Sequence, residues 1–263
     1  MCYYRLFRGE TFPMSILFNA LKLLIVLLTP LSAMAQEPVE IHDELQSQGT
    51  PYKSIALTLD ACSGKYDSDL IQFLIKEHIP ATLFATKKWL DRNPEGLAVI
   101  KAHLDLFDVE DHGENHIPAV IGKERRVYGI VGEPDLIHLR REVIEGARAV
   151  EQATGISPHW YRGATAEYDA EAVTEIENLG YKIAGFSVNA DAGATLKKTA
   201  IEERLRNVKQ GDIIIAHMNK PASDTAEGLS VALKYLLQKG FVFVRLDQVN
   251  VRDITTRGKS RKQ

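Results

Sequence analysis

Cysteine is almost absent from this chain, which has only Cys2 and Cys62. Cys2 falls in a segment expected to be removed on export, so no intramolecular disulfide can staple the mature protein. The fold must therefore rest on its apolar core. Charge of one sign is also lacking. Thirty-two Lys and Arg stand against 35 Asp and Glu, the net charge is -3 and the pI about 6.3, which excludes nucleic-acid binding by bulk electrostatics. Tryptophan is limited to Trp89 and Trp160, and neither is clearly placed at the mouth of an aromatic-rich glycan groove. No apolar run reaches the roughly 20 residues that a membrane-spanning helix needs.

The chain does have enough apolar residues for one full core. Of its 263 residues, 45% are hydrophobic, which suits a single domain of this size. Near the N-terminus Lys22 precedes an apolar run from Leu23 to Leu31, followed by Ser32-Ala33-Met34-Ala35-Gln36. Small residues at 33 and 35 form an A-x-A cleavage site, so residues 1–35 read as a signal peptide and the mature chain as exported, periplasmic or secreted, with no integral span. Met14 competes with Met1 as the start. Residues 36–53 read as a polar linker, 54–250 as the domain, and 251–263 as a basic tail carrying Arg252, Arg257, Lys259, Arg261 and Lys262.

From residue 54 onward, strand and helix patterns alternate. Strands are expected over 54–59, 81–85, 104–109, 160–161, 183–188, 213–216 and 241–246. Helices are expected over 68–78, 94–103, 135–154, 171–179, 201–209 and 225–239. Residues 117–135, rich in Gly and Pro, read as a long loop over the site. Its Lys123, Arg125 and Arg126 either contact acidic groups or belong to a solvated lid. Repeated β-α units with apolar strands imply an α/β fold with a mostly parallel sheet or barrel.

Three strands deliver chemistry at their C-terminal tips, where α/β proteins build active sites. The first ends in Asp60, the third runs into His112-Gly113-Glu114-Asn115-His116, and the sixth ends in His217. Asp plus two His is a first shell for a catalytic zinc with an open position. On a helical turn the imidazoles of His112 and His116 would point the same way. Asp191, just past a strand end, could raise the pKa of His217, and Arg162 could pin a carboxylate. Cys62 reads either as a small buried hydrophobe or as a metal ligand or reactive thiol. Asp67 and Asp69 read as capping charges of the following helix.

Taken in order, these pieces resemble the polysaccharide deacetylases of the NodB-homology group, carbohydrate esterase family four, over about Lys53 to Asn250. Thr58-Leu59-Asp60-Ala61 resembles the family's T-F-D-D, and His112 to His116 its H-[ST]-x-x-H. Arg162-Gly163-Ala164-Thr165 stands where R-P-P-[YF] is expected. Asp191 falls at the first Asp of D-x-x-D-W, and Ile215-Ala216-His217 matches L-x-H. The resemblance implies a distorted (β/α)7 barrel and a divalent-metal hydrolase, zinc being the expected ion. The implied reaction removes acetyl groups from an N-acetylated or O-acetylated polysaccharide such as peptidoglycan.

The departures bear on the site. In the family the first Asp of T-F-D-D is the base and the second binds the metal, and here the second is Ala61. Two chemistries stay open. In one, the preferred reading, Asp60 is the third ligand with His112 and His116; in the other it remains the base while the metal is held by the two His with waters or Cys62. The resemblance also implies that His217, kept protonated by Asp191, is the acid, that Arg162 orients Asp60, and that the backbone N–H near Thr165 completes an oxyanion hole. A glycan-binding relative without turnover, and an amidohydrolase acting on a small amide, are the competing readings.

Overall fold

The computed structural model describes residues 37–46 and 52–255. Residues 1–35, expected to be a signal peptide, and most of the expected basic tail lie outside them. Eight parallel strands form the central sheet: β1 (Lys53–Ala61), β2 (Ala81–Ala85), β3 (Phe107–Asp111), β4 (Trp160–Tyr161), β5 (Lys182–Ile183), β6 (Val188–Asn189), β7 (Ile213–His217) and β8 (Phe241–Val244). Their order is β5-β4-β3-β2-β1-β7-β6, with β8 beside the first half of β1. Around them run α1 (Ser68–Lys76), α2 (Lys87–Arg92), α3 (Pro94–Lys101), α4 (Leu136–Thr154), α5 (Ala170–Asn178), α6 (Lys198–Leu205) and α7 (Thr225–Gln238).

The two edge strands, β5 and β6, are consecutive in the chain, so residues 184–187 span the seam of the barrel. This explains why the expected strand 183–188 is split in two. Its start pairs with β4 and its end with β7, and no straight strand can do both. The carbonyls of Ala184 and Gly185 in the gap accept hydrogen bonds from the Arg162 guanidinium, at 3.1 and 3.2 Å.

Strand residues alternate between two cores, as the pleat requires. Ile55, Leu57, Leu59 and Ala61 pack outward with Leu83, Ile214 and Ala216 against the helices. Ala56, Phe84, Ile213 and Ile215 line the interior with Trp160 and Phe186. Thr58 and Asp60 share the interior parity. The register aligns the strand tips as well, pairing His217 with Asp60, Ala61 with Ala85, Ala85 with Asp111, and Asp111 with Tyr161.

The helices begin where short polar side chains take up their free N–H groups. Asp67 accepts from Leu70 N, Asp135 from Ile137 N and His138 N, and Asp169 from Ala172 N. Gly155, with φ 80°, ends α4 in the left-handed conformation that glycine tolerates best.

Several expectations are corrected. The stretch read as a linker contributes Val39–Glu40, paired antiparallel with Glu167–Tyr168, and Asp43–Leu45, paired with Val251–Asp253. The segment read as a tail therefore begins with a strand. Both were missed because a two- or three-residue pairing has no periodicity to read. The helix expected over 94–103 is preceded by a separate α2, with Asn93 between them. Residues 117–135 contain a small hairpin, Arg126–Val127 with Ile130–Val131.

The buried face of α4 (Leu139, Val143, Gly146, Ala147, Val150) packs against the tip of β3. A Cβ on Gly146 would lie 2.2 Å from Asp111 Oδ1 and 2.6 Å from the Gly113 carbonyl carbon. Gly146→Ala is expected to lower stability by about 1–3 kcal/mol through overpacking, although alanine is the better helix former. Urea denaturation reads this, and an unchanged midpoint would mean that helix and loop are not in close contact.

Candidate active site

The strand tips meet in a cleft of about 600 Å³ lined by Asp60, Cys62, His116, Thr165 and His217, among others. Arg162, completely buried, lies beneath it. Its Nη1 donates to Asp60 Oδ1 at 2.8 Å and to Thr58 Oγ1 at 2.9 Å, and its guanidinium lies 4.2 Å from the centre of the Phe84 ring. The expectation that Arg162 pins a carboxylate thus has a geometric basis. Burial would raise the pKa of Asp60, but Arg162, His112 and His217 outweigh it and hold the carboxyl below its usual range.

His112 is buried at the tip of β3, and its Nδ1 lies 2.5 Å from the Arg162 carbonyl oxygen. A carbonyl can only accept, so Nδ1 carries the proton and Nε2 faces the cleft, the division of labour usual for a metal-binding His. His116 reaches the same place by a different route from the one expected. Residues 112–116 are not helical, and His116 has φ 64°. The loop is held by buried Glu142 of α4, whose carboxylate accepts from Asn115 N at 2.8 Å and Ile117 N at 3.2 Å. The two imidazole rings end 4.8 Å apart, edge to face.

Cys62 is the residue whose place the sequence left open. Ala61 is fully buried in the outer core, while Cys62 follows Asp60 at the pleat's period of two. One ligand atom each from Cys62, His112 and His116 lies within 4.8 Å of the others, the only such group among the described residues. Cys62 Sγ stands 3.6 Å from His112 Nε2. Bonds of about 2.3 and 2.0–2.1 Å at a tetrahedral angle would place sulfur and nitrogen about that far apart around zinc. Burial would raise the thiol's pKa, but His112, His116 and His217 bring it well below the usual value. This donor set suits a zinc-type ion. Asp60 is not in the group. Its Oδ2 stands 3.7 Å from His112 Nε2.

On the far wall, His217 Nδ1 donates to Asp191 Oδ1 at 2.9 Å. The other Asp191 oxygen accepts from His217 N and Thr225 Oγ1. Burial alone would lower the pKa of His217, yet hydrogen bonds with Asp191 and Cys62 push it up to about 10. Thr165 sits at φ 71°, ψ -12°, in a kink that also puts Ala166 at positive φ.

Against known protein families, residues 47–184 match the model of the polysaccharide deacetylases, described as "Polysaccharide deacetylase". The chain belongs to the polysaccharide deacetylase family.

No curated protein matches the sequence. Among solved structures, the chain resembles a CE4 family pseudoenzyme from Bacillus anthracis at 20% identity and TM-score 0.59, over 76% of this chain and 66% of that one. A peptidoglycan N-acetylglucosamine deacetylase is similar at 18% identity and TM-score 0.62, over 76% and 88%. A family 4 acetyl xylan esterase from Clostridium thermocellum, in complex with a cobalt ion, is similar at 18% and 0.60, over 74% and 89%. At these identities the likeness is one of fold, and it agrees with the distorted α/β barrel expected from the sequence.

The polysaccharide deacetylase fold brings Asp60, His112, His116, Arg162, Thr165, Asp191 and His217 to one end of the sheet. Lys123, Arg125 and Arg126 do not join them as a group. Arg125 binds Asp169 at 3.0 Å, and Arg126 donates to the Gly129 carbonyl. Sequence reasoning missed Glu142, whose only signal is an acidic residue on the apolar face of an amphipathic helix. It also passed over His42, which is half-buried with Nδ1 on the Phe186 carbonyl at 3.0 Å.

Two outcomes follow from this network. Arg162→Ala strands a buried carboxylate and is expected to cost about 3–5 kcal/mol, read from denaturant titrations; a loss below 1 kcal/mol would show that His112 and His217 already neutralise Asp60. In the metal-free protein, Asp191→Asn should return His217 toward an ordinary pKa near 6.5, read by NMR titration of its ring protons. Because the folded-state pKa of His217 is raised, the pair's stabilisation is complete below about pH 6.5 and fades as pH rises through about 10. Because that of Asp191 is lowered, the stabilisation is also lost in strong acid. The stability gap between wild type and Asp191→Asn should therefore be widest between about pH 4 and 6.5; a gap that grew toward pH 10 would contradict the pairing.

Proposed function

We propose that the chain is an exported, metal-dependent hydrolase that removes acetyl groups from an N-acetylated or O-acetylated envelope polysaccharide such as peptidoglycan. The observation that carries this reading is the meeting, in one cleft, of a Cys62–His112–His116 donor group, a carboxylate held by buried Arg162, and a histidine held by buried Asp191. The neighbouring fold of a peptidoglycan N-acetylglucosamine deacetylase supports the substrate class.

In this reading Cys62, His112 and His116 hold the ion, and Cys62 supplies the negative ligand missing at Ala61. A zinc-type ion there would polarise the acetyl carbonyl and lower the pKa of a bound water to about 7. Asp60 takes the role of base. Arg162 occupies Oδ1, which leaves Oδ2, on the His112 side, to accept the proton of the attacking water. His217 is the acid. Its Nδ1–H is anchored on Asp191, so Nε2 holds the proton that goes to the leaving amine. The backbone N–H of Thr165, at the cleft wall, takes the role of oxyanion donor.

The competing reading is a glycan-binding relative without turnover, favoured by Ala61 and by a pseudoenzyme among the similar folds. Metal analysis of the purified protein with acetate-release assays on peptidoglycan and chitooligosaccharides separates the two. About one equivalent of zinc is expected, lost in Cys62→Ser and His112→Ala and retained in His217→Ala, whose turnover should fall by about 10²–10⁴. Metal loss in His217→Ala would refute its role as acid. A wild-type protein that takes up no zinc would leave the glycan-binding reading in front.

A further inference from the structure

His116 reaches the cleft on backbone that belongs to no helix or strand. Its φ of 64° lies in the left-handed region, which a residue with a side chain holds only where its surroundings enforce it. Two helices do so. The first N–H groups of α2 reach the loop's carbonyls, Lys87 N donating to Gly113 O at 3.0 Å and Lys88 N to Glu114 O at 3.3 Å. From α4 the backbone carbonyl of Glu142 accepts from Glu114 N at 2.9 Å, and its side chain enters the loop. That buried carboxylate accepts from Asn115 N with both oxygens, at 2.8 and 2.9 Å, and from Ile117 N at 3.2 Å. The His116 N–H between them also interacts with it. Successive N–H groups converge on one anion when a left-handed residue stands among them, and His116 is that residue. Gly113 makes the room. A Cβ there would collide with Glu142 Oε1, at a position where H-[ST]-x-x-H carries a side chain. Glu142 itself does not line the cleft.

We propose that Glu142 is a positioning residue that sets the affinity of the Cys62–His112–His116 group for a zinc-type ion, by holding His116 in the conformation that brings its ring to the other two donors. This rests on the reading that those three residues hold the ion. Cys62 and His112 directly follow β1 and β3, and His112 is further fixed by the Arg162 carbonyl. His116 stands out on the loop, so it is the donor whose place depends on Glu142. Without the carboxylate the left-handed conformation loses its main support, and a smaller fraction of molecules presents all three donors. Apparent affinity falls by that same fraction. The role needs an anion, because a glutamine amide would turn N–H donors toward the N–H groups of the loop.

Two measurements on the full chain test this: zinc affinity by chelator competition, and NMR of the metal-free protein. Glu142→Gln, nearly the same size as the original residue, should bind zinc about tenfold more weakly than wild type, and Glu142→Ala about 100-fold. In metal-free Glu142→Gln the Overhauser contact between the His112 and His116 rings, whose centres lie 4.8 Å apart, should weaken. The amides of Asn115, His116 and Ile117 should exchange faster with solvent, while those of β1 and β2 stay protected, which shows that the variant is folded. A residue that only stabilised the fold would lower the stability of the metal-free protein and leave the zinc affinity of folded molecules unchanged. Zinc bound equally by wild type and Glu142→Gln, or an undiminished ring contact in that variant, would overturn the positioning role and leave the metal reading standing. A wild type that binds no zinc, with a ring contact that still depends on Glu142, would overturn the metal reading and leave Glu142 as the residue that positions His116.

Discussion

The site depends on one buried cation. Arg162 contributes both ends of its residue. Its guanidinium holds Asp60 and Thr58 and ties down the carbonyls of Ala184 and Gly185 at the barrel seam. Its own backbone carbonyl fixes the tautomer of His112. A charge with no solvent contact is tolerated only when fully partnered. The seam, the Asp60 carboxylate and the His112 imidazole are thereby locked to one another, and none can move alone.

Around that anchor, the parallel register does the positioning. The tips of β1, β2, β3 and β7 lie in register, and those of β1 and β7 carry Asp60 and His217 into the cleft. The pleat sends alternate residues inward and outward. Asp60 and Cys62 share a parity and Ala61 falls on the other, in the packed outer core. This is why a cysteine one position along, and not the residue at 61, stands beside the histidines. Backbone strain gathers at the same tips: His116, Thr165, Ala166, Ala192 and Ala194 all have positive φ. Conformations of that kind persist only where the surrounding structure over-determines them, and they cluster at functional sites.

Most of the fold was legible because parallel strands buried on both faces are written as continuous apolar runs, and amphipathic helices as 3.6-residue periods. The caps at Asp67 and Asp135 and the stop at Gly155 follow from local chemistry and could be read directly. The two short pairings made by 39–45 could not, since their stability comes from partners at 167–168 and 251–253 rather than from their own pattern. The site residues at strand tips were visible as polar endings to apolar strands. Glu142 was hidden on a helix, as one acidic residue on an apolar face.

By itself the sequence determined the order of elements, the alternation that makes a parallel α/β barrel, and the identity of the residues delivered to its C-terminal end. These depend on periodicity and on chemistry within a few residues. Tertiary structure alone decided which of those residues face one another. It placed Cys62 with His112 and His116, gave Asp60 to Arg162, and anchored His217 on Asp191. Distances of a few ångströms between residues far apart in the chain are fixed by strand register, loop conformation and the partnering of buried charges, and none of these is a local property of the sequence.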